Sequence, residues 1–278
     1  MFERWIRLLI TFDLDGVLQS NPFGRGVFPE VCGKIGAKLV ETEGQEPKTA
    51  SQLVMQMIRD EAKRRLLAGD YVGAYDWDDI ICTVAEAVGS PARFDIEQLV
   101  IKYCTSEYIS SYPYAASTLT ELSARGIKLA VVTNGFYKYQ NPVMTSLGLR
   151  HFFDEFITPE MVGTVKPYAA IYKAAVKGEY ALHLHVGDTI IHDVWGAHQA
   201  GFEPVWVLRK LPKALDALQP WERPTRPEVE SLIQKSFASD LCSEAYPEAK
   251  PEECRPEYVI KDLSELLAVV EYAKRKAA

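Results

Sequence analysis

Apolar residues recur at three- and four-residue spacing from about Gln19 to Tyr112, then in short unbroken runs. Residues 28–40 and 50–67 carry the helical period, with Leu53, Met57, Ile58 and Leu66 marking one stripe. Residues 77–88 and 96–109 continue it, separated by the break Gly89-Ser90-Pro91. Strand-like alternation is missing from this region. Beyond Tyr112 the rhythm changes. Helical pieces at 117–124, 144–147, 169–176 and 195–200 alternate with strand-like runs at 127–132, 156–157, 182–186 and 204–208. This alternation predicts a parallel sheet with helices on both faces. Arg7-Leu8-Leu9-Ile10-Thr11-Phe12 is apolar enough for a strand covered on both sides, so it belongs to the same sheet. The expected architecture is α/β, a doubly wound, Rossmann-like parallel sheet formed by residues 1–17 and 113–278. An α-helical domain, residues 18–112, is inserted into it.

Seven prolines punctuate residues 210–257, with one helical piece at 228–237. Two readings stay open for this stretch: an ordered extension packed on the core, or a partly mobile loop. Tyr258-Val259-Ile260 then reads as a last edge strand and 263–274 as a closing helix.

Composition narrows the class. The chain has 278 residues, 47% hydrophobic and 25% charged, as expected of a soluble globular protein. A net charge of −7 argues against nucleic acid as the main partner. No run approaches the roughly 18 apolar residues of a membrane span. The first ten residues contain Glu3, Arg4 and Arg7, and cleaving them as a signal would cut into functional chain. The five cysteines form no CxxC pair, so free thiols in a reducing cytoplasm are expected, with Cys242–Cys254 as a possible pairing.

Candidate chemistry gathers where strands end, the usual ligand edge of an open α/β sheet. After the first strand comes Asp13-Leu14-Asp15-Gly16-Val17-Leu18, whose two carboxylates, one residue apart on a strand, are expected to point the same way. After the 127–132 run come Thr133-Asn134-Gly135, and after 182–186 come Gly187-Asp188, with Asp193 five residues on. Between them lies Gly163-Thr164-Val165-Lys166-Pro167. Singly, each has a plainer reading: a turn, a solvated lysine, a helix cap. Together they make a coherent phosphoryl site. Asp13 and Asp188 offer hard oxygens for Mg²⁺, Lys166 adds positive charge, and Thr133 with the N–H groups near Asn134 can donate to phosphoryl oxygens. Asp13 is then the carboxylate nucleophile, and Asp15 protonates the leaving oxygen and later deprotonates water.

These four segments resemble the motifs of the haloacid dehalogenase-like hydrolase superfamily, over residues 6–18 and about 112–208. The resemblance implies Asp13 as nucleophile and Asp15 as general acid/base. It also implies a Mg²⁺ site from the side chains of Asp13 and Asp188 and the backbone carbonyl of Asp15. Thr133 and Lys166 would hold the phosphoryl group, and Asp193 would orient Lys166 or a water on the metal. The helical insertion is similar to a first-type cap. Thr133-Asn134-Gly135-Phe136 with Gln140, Gly148-Leu149 and Phe152-Phe153-Asp154 is most similar to the small phosphatases, which include pyrimidine nucleotidases and acylneuraminate phosphatases. Gln19-Ser20 and the long 210–257 segment depart from the family pattern.

The expected activity is hydrolysis of a phosphomonoester of a small metabolite, such as a nucleotide, a sugar phosphate or a phosphoglycolate-like acid, by a monomer or homodimer. The alternatives are a phosphomutase, or a phosphonate or haloacid hydrolase, on the same core. Asp15 speaks against dehalogenation, and Lys34, Lys38 and Lys63 are the candidate Schiff-base lysines of a phosphonate-cleaving enzyme. A non-catalytic phosphate- or partner-binding protein would have no use for this charged set. In 21–28, Arg25 is a candidate for a second substrate anion, and Phe23 or Phe28 for stacking on a ring, with a glycine hinge as the plainer reading. His183 and His185 lack ligand spacing and are read as satisfied or exposed.

Overall fold

The computed structural model describes residues 6–239 and 243–278. Its strands are β1 (Leu8–Phe12), β2 (Gln19–Ser20), β3 (Ser110–Ser111), β4 (Lys128–Val132), β5 (Glu155–Ile157), β6 (Leu182–Gly187), β7 (Glu203–Val207) and β8 (Tyr258–Ile260). Six of them form one sheet in the order β5-β4-β1-β6-β7-β8, and every pairing is parallel. β1 is central and buried along its whole length, which is why it reads as an unbroken apolar run. Leu9, Ala130, Val132 and Ile157 pack with Ile171, Tyr172, Ala175, Ala197 and Phe202. The α/β architecture with a helical insertion after β1 is therefore as expected.

Contacts divide the chain into two compact units, Met1–Gln19, Ser111–Asn134 and Leu149–Ala278 on one side, and Ser20–Ser110 with Gly135–Gly148 on the other. The second unit holds helices Phe28–Glu43, Pro47–Leu67, Trp77–Val88 and Ile96–Lys102. Residues 135–148 differ from the expectation that all of 113–278 lies in the core. Their helix, Tyr137–Ser146, buries Tyr139 and Val143 among Phe23, Ile80 and Ile96, and Tyr139 Oη donates to Asp78 at 2.8 Å. Pro142 inside that helix hid its first half, because proline removes an N–H from the helical ladder. The helix expected over 96–109 stops at Lys102, where a Thr105 turn accepts from the N–H groups of Tyr108 and Ile109. The Phe23 and Phe28 rings meet at a tilt with 5.2 Å between centroids and both meet Trp77, which makes them packing residues of this unit. Lys34 and Lys38 pair with Glu30 and Glu41, the ordinary state of surface lysines on helices.

Residues 210–257 are, where described, an ordered extension. Val259 of β8 donates its N–H to the Pro220 carbonyl at 3.0 Å. Arg223, 1% exposed, binds Glu265 with both arms of its guanidinium (2.7 and 2.8 Å) and donates to the carbonyls of Val259 and Leu215. Trp221 stacks on Tyr272 at 4.1 Å. A buried guanidinium is tolerable only because this fork-on-fork geometry satisfies it. Cys254 is buried with its Sγ 3.2 Å from the Lys250 carbonyl, and the suggested partner Cys242 lies outside the described residues. Among the described residues, no helix is long and apolar enough to cross a membrane.

Candidate active site

β1 ends at Phe12, and Asp13 extends its ladder by one more bond, donating its N–H to the Val186 carbonyl at 2.9 Å. Asp15 is not a strand residue, contrary to the alternation expected from the sequence. The chain turns immediately after Asp13: the Leu14 carbonyl collects the N–H groups of Val17, Leu18 and Gln19, and Asp15 bridges to Gln19. Gly16 makes this turn possible. Its φ is +82°, a region that disfavours other residues. A Cβ at Gly16 would also lie 2.1 Å from Asp188 Oδ2. Gly16→Ala is therefore expected to cost about 1–3 kcal/mol, read as a lowered denaturant midpoint, and to push Asp188 out of place.

The centre of the site is a buried lysine. Lys166 Nζ is 2.9 Å from Asp13 Oδ1 and 2.7 Å from Asp193 Oδ1, and the lysine is 2% exposed. The Lys166–Pro167 peptide is cis, and the Asn134 side chain clamps the lysine backbone, accepting from its N–H at 2.7 Å and donating to its carbonyl at 3.1 Å. Asn134, expected beside the substrate, thus spends its side chain on positioning Lys166. Thr133 follows β4, is 3% exposed, and donates its N–H to the Ile157 carbonyl at 3.2 Å.

Asp193 is the scaffold of the cluster. One oxygen accepts from Lys166 and pairs with His185 Nε2 at 3.1 Å, and the other accepts from Asp188 N, Thr189 N and Thr189 Oγ1 at 2.7–3.1 Å. Gly187 admits it, since a Cβ there would meet Asp193 Cβ at 2.1 Å. The resemblance gives Asp193 the task of orienting Lys166 or a water on the metal, and the structure places its Oδ1 2.7 Å from Lys166 Nζ.

Burial and charge set the protonation states. Burial opposes the charge on Lys166, but Asp13 and Asp193 outweigh it and hold the ammonium on. Burial likewise opposes the Asp193 carboxylate, and Lys166 and His185 overcome it, holding that group well below the usual range. Asp13 is pushed up to about 6, chiefly by burial, with Lys166 pulling the other way. Asp188 rises to about 8 through burial and the neighbouring charges of Asp193 and Asp13. Burial keeps His185 neutral. Asp13, Asp188 and Asp193 each place an oxygen within 4.8 Å of the others. With Asp193 already fully engaged, Asp13 and Asp188 are the desolvated, under-compensated carboxylates. An all-oxygen donor set short of positive charge fits a hard divalent cation.

Three supporting residues escaped the sequence reading. His185, fully buried on β6, joins Asp193 to Thr11, whose Oγ1 lies 2.8 Å from His185 Nδ1. A histidine in the middle of a central strand was the available signal, because a buried ring must find partners. Tyr246, fully buried in the extension, donates its Oη to the Lys166 carbonyl at 3.4 Å, and its ring meets Tyr168 and His192. Arg209 grips the loop after β1, and nothing local in the sequence announced either residue. Arg25 lies in the helical unit, where its Nη2 donates to the Tyr108 carbonyl at 2.9 Å.

A family model for haloacid dehalogenase-like hydrolases matches residues 8–201, which takes in Asp13, Asp15, Thr133, Lys166, Asp188 and Asp193. The chain belongs to the haloacid dehalogenase-like hydrolases. Among curated relatives, a glyceraldehyde 3-phosphate phosphatase of Methanopyrus kandleri is 36% identical over 107 residues, covering 37% of this chain and 45% of that protein. The match thus spans less than half of that relative's length. A protein of the same name from Methanocaldococcus jannaschii is 28% identical over 207 residues, covering 72% of this chain and 84% of its own. A solved phosphatase of this family from Thermococcus onnurineus superposes with a TM-score of 0.63 at 21% identity, covering 94% of this chain and 97% of that one, a likeness of fold.

Proposed function

We propose that this hydrolase cleaves phosphomonoesters of small metabolites through a phosphoryl group carried on Asp13. The observation that supports it most is the buried lysine tied to both Asp13 and Asp193, with Asp188 beside them. Lys166 aims the Asp13 carboxylate and places a fixed positive charge where a phosphoryl dianion arrives. The hydroxyl of Thr133 and the backbone N–H of Asn134 donate to the phosphoryl oxygens. Asp13 attacks phosphorus and Asp15 protonates the departing ester oxygen. Asp15, now ionised, takes a proton from the water that cleaves the aspartyl-phosphate, and Asp13 is regenerated. Asp13 and Asp188, with the Asp15 backbone carbonyl, would hold Mg²⁺, which supplies charge neutralisation for the transferring phosphoryl group. Displacing a halide needs no proton donor, so Asp15 favours an ester. The relatives' phosphatase names support the same reaction class.

Phosphate release should be measured over a panel of triose phosphates, sugar phosphates, phosphoglycolate, nucleoside monophosphates and p-nitrophenyl phosphate, with Mg²⁺ and then with a chelator. Release from at least one ester is expected, falling about 100-fold or more on chelation and returning when Mg²⁺ is restored. An inert panel, or release indifferent to chelation, contradicts the proposal.

A further inference from the structure

Arg209 lies two residues beyond β7, at the start of the extension, and no motif of the chain includes it. Its Nε and Nη2 both donate to the Gly16 carbonyl, at 3.1 and 2.8 Å, and Nη2 also donates to the Val17 carbonyl at 2.8 Å. The guanidinium carbon sits 3.5 Å from the centroid of the Tyr112 ring, and Tyr112 in turn donates its N–H to the Leu18 carbonyl at 2.9 Å. One side chain therefore grips the stretch leaving β1 and the residue at which the chain returns.

The peptide it holds is the one that most needs holding. Gly16 is the turning point of the loop, its φ is +82°, and a Cβ there would run into the Asp188 carboxylate. Glycine resists no rotation of its own, so the orientation of the Gly16–Val17 peptide has to be imposed from outside. The Val17 N–H is anchored on the Leu14 carbonyl at 3.2 Å, and Arg209 fixes the carbonyl end. Asp15 immediately precedes this peptide, so its carboxyl is only as well placed as the peptide is.

We propose that Arg209 is a positioning residue, whose planar guanidinium locks the Gly16–Val17 peptide and thereby places Asp15 for proton transfer beside Asp13. The proposal rests on the phosphatase reading above. The fork, not the charge, does the work: an ammonium is a point charge and cannot reproduce donors aimed at two adjacent carbonyls. Charge alone would be equally well supplied by lysine.

The test compares wild type, Arg209→Lys and Arg209→Ala by steady-state phosphate release and by hydrogen exchange over residues 14–19. Both variants should lose about 30-fold in kcat with KM within about threefold, the pattern of a misplaced catalytic group rather than lost binding. Exchange over 14–19 should quicken about tenfold or more while the rest of the sheet is unchanged. Methylguanidinium should restore part of the kcat of Arg209→Ala and none of Arg209→Lys. Wild-type kcat in Arg209→Lys, or unaltered exchange over 14–19, overturns the proposal. If Arg209→Ala does not fold, Arg209→Lys decides alone. If wild type releases no phosphate, the phosphatase reading has failed, and the exchange measurement still judges Arg209.

Discussion

Asp13→Asn should abolish phosphate release while leaving the protein folded. Removing the attacking atom of a covalent mechanism costs about four to six orders of magnitude in kcat, because no neighbouring group can stand in for it. Asp15 is displaced from that position by the turn after Asp13, and Asp193 has both oxygens engaged. Asparagine keeps the shape of aspartate and loses its charge. The folded state disfavours that charge, since burial raises Asp13 to about 6, above its ordinary 3.8. A carboxyl raised on folding destabilises the fold above its folded pKa, and the cost is relieved as pH falls through about 6. In chelator at pH 8, Asp13→Asn should thus be at least as stable as wild type, and near pH 5 the difference should narrow. Paired denaturation curves at the two pH values check this. Turnover above about 1% of wild type would remove Asp13 from the mechanism.

Lys166→Met should be damaging in a different way, costing both activity and stability. Methionine fills a similar volume, so the loss is electrostatic. Two buried carboxylates, Asp13 and Asp193, are left without their shared cation, and breaking a buried pair from one side costs about 3–5 kcal/mol. The sign with pH follows from the same linkage. Without Lys166, Asp13 rises further above its unfolded value and Asp193 loses the cation that holds it below its own, so the destabilisation is greatest at high pH and shrinks as acid protonates them. Denaturant midpoints across pH 5–8 measure this, and a midpoint that fell equally at every pH would point to packing instead. Lys166→Met should also be inactive even where it is folded, since Asp13 loses its orientation and the phosphoryl group its nearest cation. Asp13→Asn and Lys166→Met therefore share a loss of turnover but part company in stability.

What the sequence disclosed was set by how local each signal is. β1, β4, β6 and β7 were legible because strands covered on both faces carry unbroken apolar runs, and the residues at their ends are adjacent to those runs in the chain. Asp13, Thr133, Asp188 and Asp193 came from that adjacency, and Lys166 from the short Gly163–Pro167 segment between them. The supporting contacts are of another kind. Thr11 and His185 meet across 174 positions, and Arg209 reaches Gly16 across 193. Such pairs follow from sheet order and have no periodicity to betray them. Asp15 was misplaced for a local reason: alternation was carried past Phe12, where Gly16 had already turned the chain. The side-chain task of Asn134 was not legible because its partner, the backbone of Lys166, lies 32 residues away. The assignment of 135–148 failed at Pro142, a residue that breaks helices more often than it sits inside them.

The extension has one more consequence, at the margin of the sheet. β8 is an outermost strand, and an uncovered outermost strand is a template for adding a foreign chain. Here Pro220 accepts the Val259 N–H and Arg223 occupies the Val259 carbonyl, so these backbone groups are already spoken for within the molecule. Proline, with no N–H of its own, cannot pass the ladder outward. The segment that looked like a long irregular connection is thus also a cover over the outer edge of β8 at Val259. Shortening it to a minimal loop would bare the Val259 N–H and carbonyl at the edge of the sheet, an open invitation to edge-to-edge pairing.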